Sequence, residues 1–205
     1  TRDGETIGYH KLVSTMALSS LIDACAKGGD LPAEVAQARA LLRSTTVSHL
    51  DVLAKGSNHD IEGPWDGSGQ PHWVYFPERQ FPFYRVGSFS AVEPKMTDGD
   101  TRNFYVEIAH RGDRRVEDEV DACLAGLAEA HLIDGVESVL DVHVEHVPNA
   151  YVLQDPNYHT SRTVLLDYLA KHHVLSTGRY GNWEYSAMED ALIHGRKAAQ
   201  WLSDG

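Results

Sequence analysis

Five stretches of the chain alternate apolar and polar residues or cluster β-prone ones, and these read as strands: Thr45–Leu53, Trp73–Phe76, Phe83–Phe89, Asn103–Ala109 and Val139–Val147. Between and around them the apolar positions recur at helical spacing. Val35, Ala38 and Leu41-Leu42 mark a helix over about 32–43, and Val120, Leu124 and Leu127 mark one over 117–130. Val164, Leu165, Tyr168 and Leu169 mark a third over 161–172. Shorter or alanine-rich helices are expected over 19–26 and 187–201. Strands that read as antiparallel, with helices laid on one face, make an α+β chain.

Local signals refine the ends of these elements. Asp3-Gly4 sits between β-prone residues and predicts a hairpin over residues 1–16. Pro32 falls in a first helical turn, where its missing N–H costs nothing, and Lys27-Gly28-Gly29 stops the helix before it. Ser186 stands three residues ahead of Glu189, the spacing of a capping box. Gly56 to Pro71 is rich in Gly, Asn, Asp and Pro and predicts a long loop, either a functional surface or disorder.

Composition narrows the picture only a little. The 205 residues are 42% hydrophobic and 23% charged, as in a globular protein with a sizeable core. A formal net charge of −12 argues against non-specific binding to nucleic acid. No apolar run approaches the ~20 residues of a membrane-spanning helix, so a cytoplasmic protein with no membrane partner is expected. Cys25 and Cys123 both fall in helical patterns and are expected as reduced, buried thiols.

Three stretches carry candidate chemistry. In His72–Phe89 an arginine, Arg85, is embedded among aromatic residues and needs an acidic, phosphate or ring partner, because an unpaired buried guanidinium is costly. The aromatics themselves also read as ordinary packing in a hairpin. His143 and Glu145 share a strand face while His146 points away, too few ligands for a metal, and solvent-facing polar residues account for them better. In Gly178–Gly195 a short strand, a glycine-containing turn and a helix N-terminus follow one another, presenting unpaired N–H groups to which anions bind.

Gly178-Arg179-Tyr180-Gly181 leading into a helix, together with Trp-Val-Tyr-Phe-Pro-Glu at 73–78 and Phe-Tyr-Arg at 83–85, resembles the UDP-galactopyranose mutase group of the FAD-dependent amine-oxidase superfamily. Ala17 stands where that group has a proline after Ser-Thr-Met, and Val152 follows Tyr151 where it often has Tyr-Pro. The resemblance implies FAD as cofactor. Gly178, Arg179, Ala187, Met188 and Glu189 would contact it, the last three through backbone N–H groups at the helix start. It further implies a small-molecule substrate, a nucleotide sugar, contacted by Tyr75, Tyr84, Tyr151 and Tyr185, with Arg85 and Arg179 beside the diphosphate as the catalytic pair. In that group reduced FAD attacks the anomeric carbon, the nucleotide diphosphate leaves, and the sugar recloses at another ring size.

No G-x-G-x-x-G follows a strand, so the dinucleotide fingerprint is missing. The resemblance therefore implies a C-terminal half whose partner is an N-terminal FAD-binding half. Residues 1–24 would return into the FAD-binding, Rossmann-like domain, 25–172 would form the antiparallel substrate-binding sheet with its helices, and 173–205 would supply the flavin-contacting strand, turn and helix. Two other readings stay open: a flavin oxidoreductase of the amine-oxidase or protoporphyrinogen-oxidase type, and a non-catalytic domain that binds a nucleotide sugar or a partner.

Overall fold

The computed structural model describes residues 4, 6–56, 72–112 and 114–204. Its strands are β1 (Leu12–Ser14), β2 (Ser44–Lys55), β3 (Trp73–Tyr75), β4 (Arg85–Gly87), β5 (Thr101–His110), β6 (Val139–Val152) and β7 (Val174–Ser176). Its helices are α1 (Leu18–Ala26), α2 (Ala33–Leu41), α3 (Phe89–Val92), α4 (Val120–Glu129), α5 (Tyr158–Lys171), α6 (Gly178–Gly181) and α7 (Met188–Ser203). They fall into two compact units, residues 45–150 and residues 1–44 with 151–205. α2 and α5 pack in the same unit as the chain ends.

The unit of residues 45–150 is the antiparallel sheet, in the order β3-β4-β5-β2-β6. All five expected strands are in it. Alternation decides which side of each strand is covered. Leu50, Val52 and Ala54 of β2, with Phe104, Val106 and Ile108 of β5, lie on the core face with Cys123, Leu124 and Leu127 of α4. Phe76, Phe81 and Phe83 extend this core, their ring centroids 5.1–5.2 Å apart. At one end of the core face the fully buried Ser48 hydroxyl lies 2.8 Å from His110 Nε2 and 2.6 Å from His146 Nδ1. His143 and Glu145 face solvent, 3.3 Å apart. Among the described residues there is no group of three or more His, Cys, Asp or Glu side chains placed to hold a metal.

Register brings polar residues together on the opposite face. Tyr75 stands opposite Arg85, Arg85 opposite Glu107, and Glu107 opposite His49, a row crossing four strands. One pair further along, Trp73, Gly87, Tyr105 and Asp51 form the parallel row.

In the other unit, Leu18 and Ile22 of α1, Val35 and Ala38 of α2, and Leu165 and Leu169 of α5 bury their helical stripes together with Trp183. β1 and β7 form a two-stranded parallel pair, Leu12 opposite Val174 and Ser14 opposite Ser176. The expected hairpin over 1–16 is therefore corrected: its proposed turn lies largely outside the described residues, and Leu12–Ser14 pairs with a distant strand in parallel. The loop expected over 56–71 also lies outside them, except for Gly56.

Two local expectations also change. The box at the start of α7 is one residue later: the Ala187 N–H donates to Asp190 Oδ2 at 2.8 Å, while the Ser186 hydroxyl is buried without a partner among the described residues. An alanine has no side-chain acceptor, so α7 is closed by the carboxylate alone. Cys25 is half-buried rather than buried, whereas Cys123 is fully buried, and neither is in a disulfide.

Candidate functional site

Gly178 follows β7 with φ +80°, a left-handed conformation that glycine adopts without penalty. It starts α6, a single helical turn where a plain turn was expected. The chain leaving α6 is braced from several sides. Tyr158 of α5 donates its hydroxyl proton to Trp183 O at 2.8 Å, and burial raises that phenol's pKa. Arg162 of α5 donates from Nε to Asn182 O and pairs from Nη2 with Glu184 Oε2 at 3.0 Å. Glu184 also lies 3.3 Å from His194 Nε2 of α7. Trp183 itself is fully buried with φ +52°, an unusual conformation for a bulky residue.

This frame presents Arg179. Its guanidinium carbon lies 5.3 Å from the Tyr151 ring centre and 4.9 Å from that of Tyr185. The two rings are nearly parallel, inclined by 21° with centres 6.2 Å apart. Arg179 Nη1 donates to Ser186 O at 3.0 Å, tying the arginine to the residue before α7. Tyr185 is 71% exposed and Met188 88% exposed, so this group is reachable from solvent. Three of the residues expected at the site, from two distant segments, thus form one cation–aromatic triangle. Ala187 caps α7 and Met188 and Glu189 begin it, close to Tyr185 in sequence, with the Ala187 N–H already engaged by Asp190.

Arg85, Tyr75 and Tyr84 form a second cluster, on the polar sheet face. Arg85 Nη2 meets Glu107 Oε1 at 2.5 Å, and Tyr84 donates its hydroxyl proton to Glu107 Oε2 at 2.5 Å. Arg85 Nη1 donates to Tyr75 Oη at 3.3 Å, and the guanidinium carbon lies 5.7 and 5.8 Å from the Tyr75 and Tyr84 ring centres. Burial works against the charge on Arg85, but hydrogen bonds to Glu107 and Tyr75 and the charge of Glu107 outweigh it. Its pKa is held above the ordinary value. Tyr105 borders the cluster, and its phenol is raised, mainly by burial.

Sequence reasoning asked for an acid, phosphate or ring beside Arg85, and an acid and two rings are there. The acid, Glu107, was missed. Its signal was present in the alternation of Asn103–Ala109, which puts Glu107 on the non-core face, but the pairing with Arg85 depends on strand order. Arg162 and Glu184 were missed too, since no local pattern announces a contact between two helices and a loop.

A five-stranded antiparallel sheet with helices in one unit and a two-stranded parallel pair in the other make this an α+β chain whose fold matches part of larger solved structures. That fold is found in UDP-galactopyranose mutase. A structure of the reduced mutase matches with a TM-score of 0.71 at 20% identity, over 89% of this chain and 38% of the mutase. A putative protoporphyrinogen oxidase from Exiguobacterium sp. 255-15 matches with a TM-score of 0.66 at 10% identity, over 95% of this chain and 41% of the oxidase. The chain therefore spans about two fifths of the length of either structure. No family model matches the sequence. No described helix is long and apolar enough to cross a membrane.

Proposed function

We propose that the chain is part of an FAD-dependent enzyme of the mutase type, acting on a nucleotide sugar, and that Arg179 binds the substrate diphosphate. The observation that carries this reading is the triangle of Arg179, Tyr151 and Tyr185. A guanidinium held against two phenolic rings presents a charged fork with stacking surface around it, a combination suited to a phosphorylated ligand bearing a ring. Arg179 neutralises charge on the departing diphosphate, and the two tyrosines orient it. The fold shared with the mutase supports this reading, and the remaining part of a longer protein would supply the dinucleotide fingerprint.

The residues present fit a flavin. The Ala187 N–H, at the cap of α7, is occupied, which leaves the N–H groups of Met188 and Glu189 in the first turn as donors; Ser186 Oγ is buried without a partner among the described residues. A side chain built at Gly178 would meet nothing within 4 Å among the described residues, which leaves the backbone open to close approach there. When bound, reduced FAD would supply the nucleophile for the anomeric carbon. The α7 donors would hold the cofactor, and Arg179 and its tyrosines would hold the substrate.

The test uses the complete protein loaded with FAD and a UDP-hexopyranose, with products separated by chromatography. Formation of the furanose form only after reduction of the flavin is expected. An unchanged nucleotide sugar under reducing conditions refutes the proposal. Oxidation of an amine or a porphyrinogen with acceptor consumption would select the oxidoreductase reading instead.

A further inference from the structure

Arg85 meets an acid from its own sheet. We propose that Glu107 is the specificity-determining residue of the polar sheet face, neutralising Arg85 so that this face rejects phosphate groups and accepts an uncharged hydrogen-bonding ligand. It would do so whether or not the chain belongs to a mutase, because the effect depends only on side chains of β3, β4 and β5 and on Tyr84, just ahead of β4.

The arrangement is specific. Glu107 spends one carboxylate oxygen on Arg85 Nη2 and the other on the Tyr84 hydroxyl. It is thereby fixed in place by a charge-assisted pair of hydrogen bonds. Arg85 spends a second donor on Tyr75, and its Nε is buried with no partner among the described residues. Both side chains of the ion pair are mostly covered, 20% exposed for Arg85 and 13% for Glu107. A phosphate reaching the remaining edge of the guanidinium would meet the Glu107 carboxylate at nearly the same range. In a partly desolvated site that repulsion offsets most of the attraction. The ring edges and hydroxyls left at the surface, including Tyr75 at 57% exposure and Trp73 at 49%, suit a neutral polar ligand.

Titration with inorganic pyrophosphate at low salt, followed by calorimetry, tests this. Arg179→Gln is used as the parent, so that any binding at the other arginine is removed. Adding Glu107→Gln should tighten pyrophosphate binding at least tenfold, and adding Arg85→Gln as well should abolish the gain. No gain in a Glu107→Gln protein with native circular dichroism overturns the proposal. Should Glu107→Gln fail to fold, Arg85→Gln in the otherwise native chain decides. Pyrophosphate affinity within twofold of native supports the proposal, and a tenfold loss overturns it. The effect of Arg179→Gln on the native chain is read separately, so failure of the diphosphate assignment to Arg179 does not mimic failure here.

Discussion

Gly87→Ala tests whether the polar sheet face is packed as described. Gly87 lies in β4 opposite Tyr105 of β5. A Cβ added at Gly87 would stand 2.1 Å from Tyr105 Cζ, 2.2 Å from its Oη and 2.5 Å from its Cε1. Carbon atoms in contact prefer about 3.5–4.0 Å, so the ring would have to move by roughly 1.5 Å. That movement disturbs the packing of Tyr105 on Phe89, whose ring centres are 4.8 Å apart. Overpacking of this kind costs about 1–3 kcal/mol. Against it, alanine restricts the unfolded chain and returns about 0.4–1 kcal/mol where the backbone tolerates it. A net loss of about 1–2 kcal/mol is expected, seen in urea unfolding as a lower midpoint at unchanged slope. In a Tyr105→Ala background the clash is gone, so the same substitution should be neutral or stabilising. That is a coupling of about 1–3 kcal/mol between neighbours. A Gly87→Ala protein as stable as the native one, or additivity of the two substitutions, would refute the packing of Tyr105 over this glycine.

Three other expectations concern single groups. Burial pushes the Cys123 thiol up to about 12, so at pH 8 it should resist Ellman's reagent until the chain unfolds, while the half-buried Cys25 reacts in the folded state. The hydrogen bonds from Arg114 hold the Glu119 carboxyl below its ordinary pKa, so its contribution is present above the unfolded pKa and lost as pH falls through the folded one. Glu119→Gln should therefore cost stability at pH 7, by under about 1 kcal/mol for so exposed a pair, and nothing at pH 2 in parallel unfolding curves. His173 follows α5 with φ +57°, where its N–H donates to Ala170 O. His173→Gly should raise the melting temperature by about 1–3 °C in a thermal scan, because glycine occupies that conformation without strain.

The five strands and the long helices were legible because each buries a periodic set of apolar residues, and periodicity is a local property. Arg85 was legible as a problem, a guanidinium among rings, but its solution needed the β4–β5 register that puts Glu107 opposite. The Arg179 triangle joins Tyr151, at the end of β6, to Tyr185, ahead of α7, and only the resemblance pointed to all three residues. The parallel pairing of Leu12–Ser14 with Val174–Ser176 had no such pointer. Its three-residue strands are too short for alternation to show, and the glycine turn beside them suggested a hairpin instead. The start of α7 was misread by one residue because Glu189 and Asp190 are both acids, and spacing alone favoured the first.

The central claim is that Arg179 receives a diphosphate, and comparing UDP with uridine as ligands of the FAD-loaded complete protein addresses it most directly. A charge-assisted hydrogen bond to a phosphate is worth about 1.5–3 kcal/mol, or roughly 10- to 150-fold in affinity. Arg179→Gln should weaken UDP binding by that factor and leave uridine binding unchanged. Equal loss for both ligands, or UDP binding as tight as in the native protein, would contradict it.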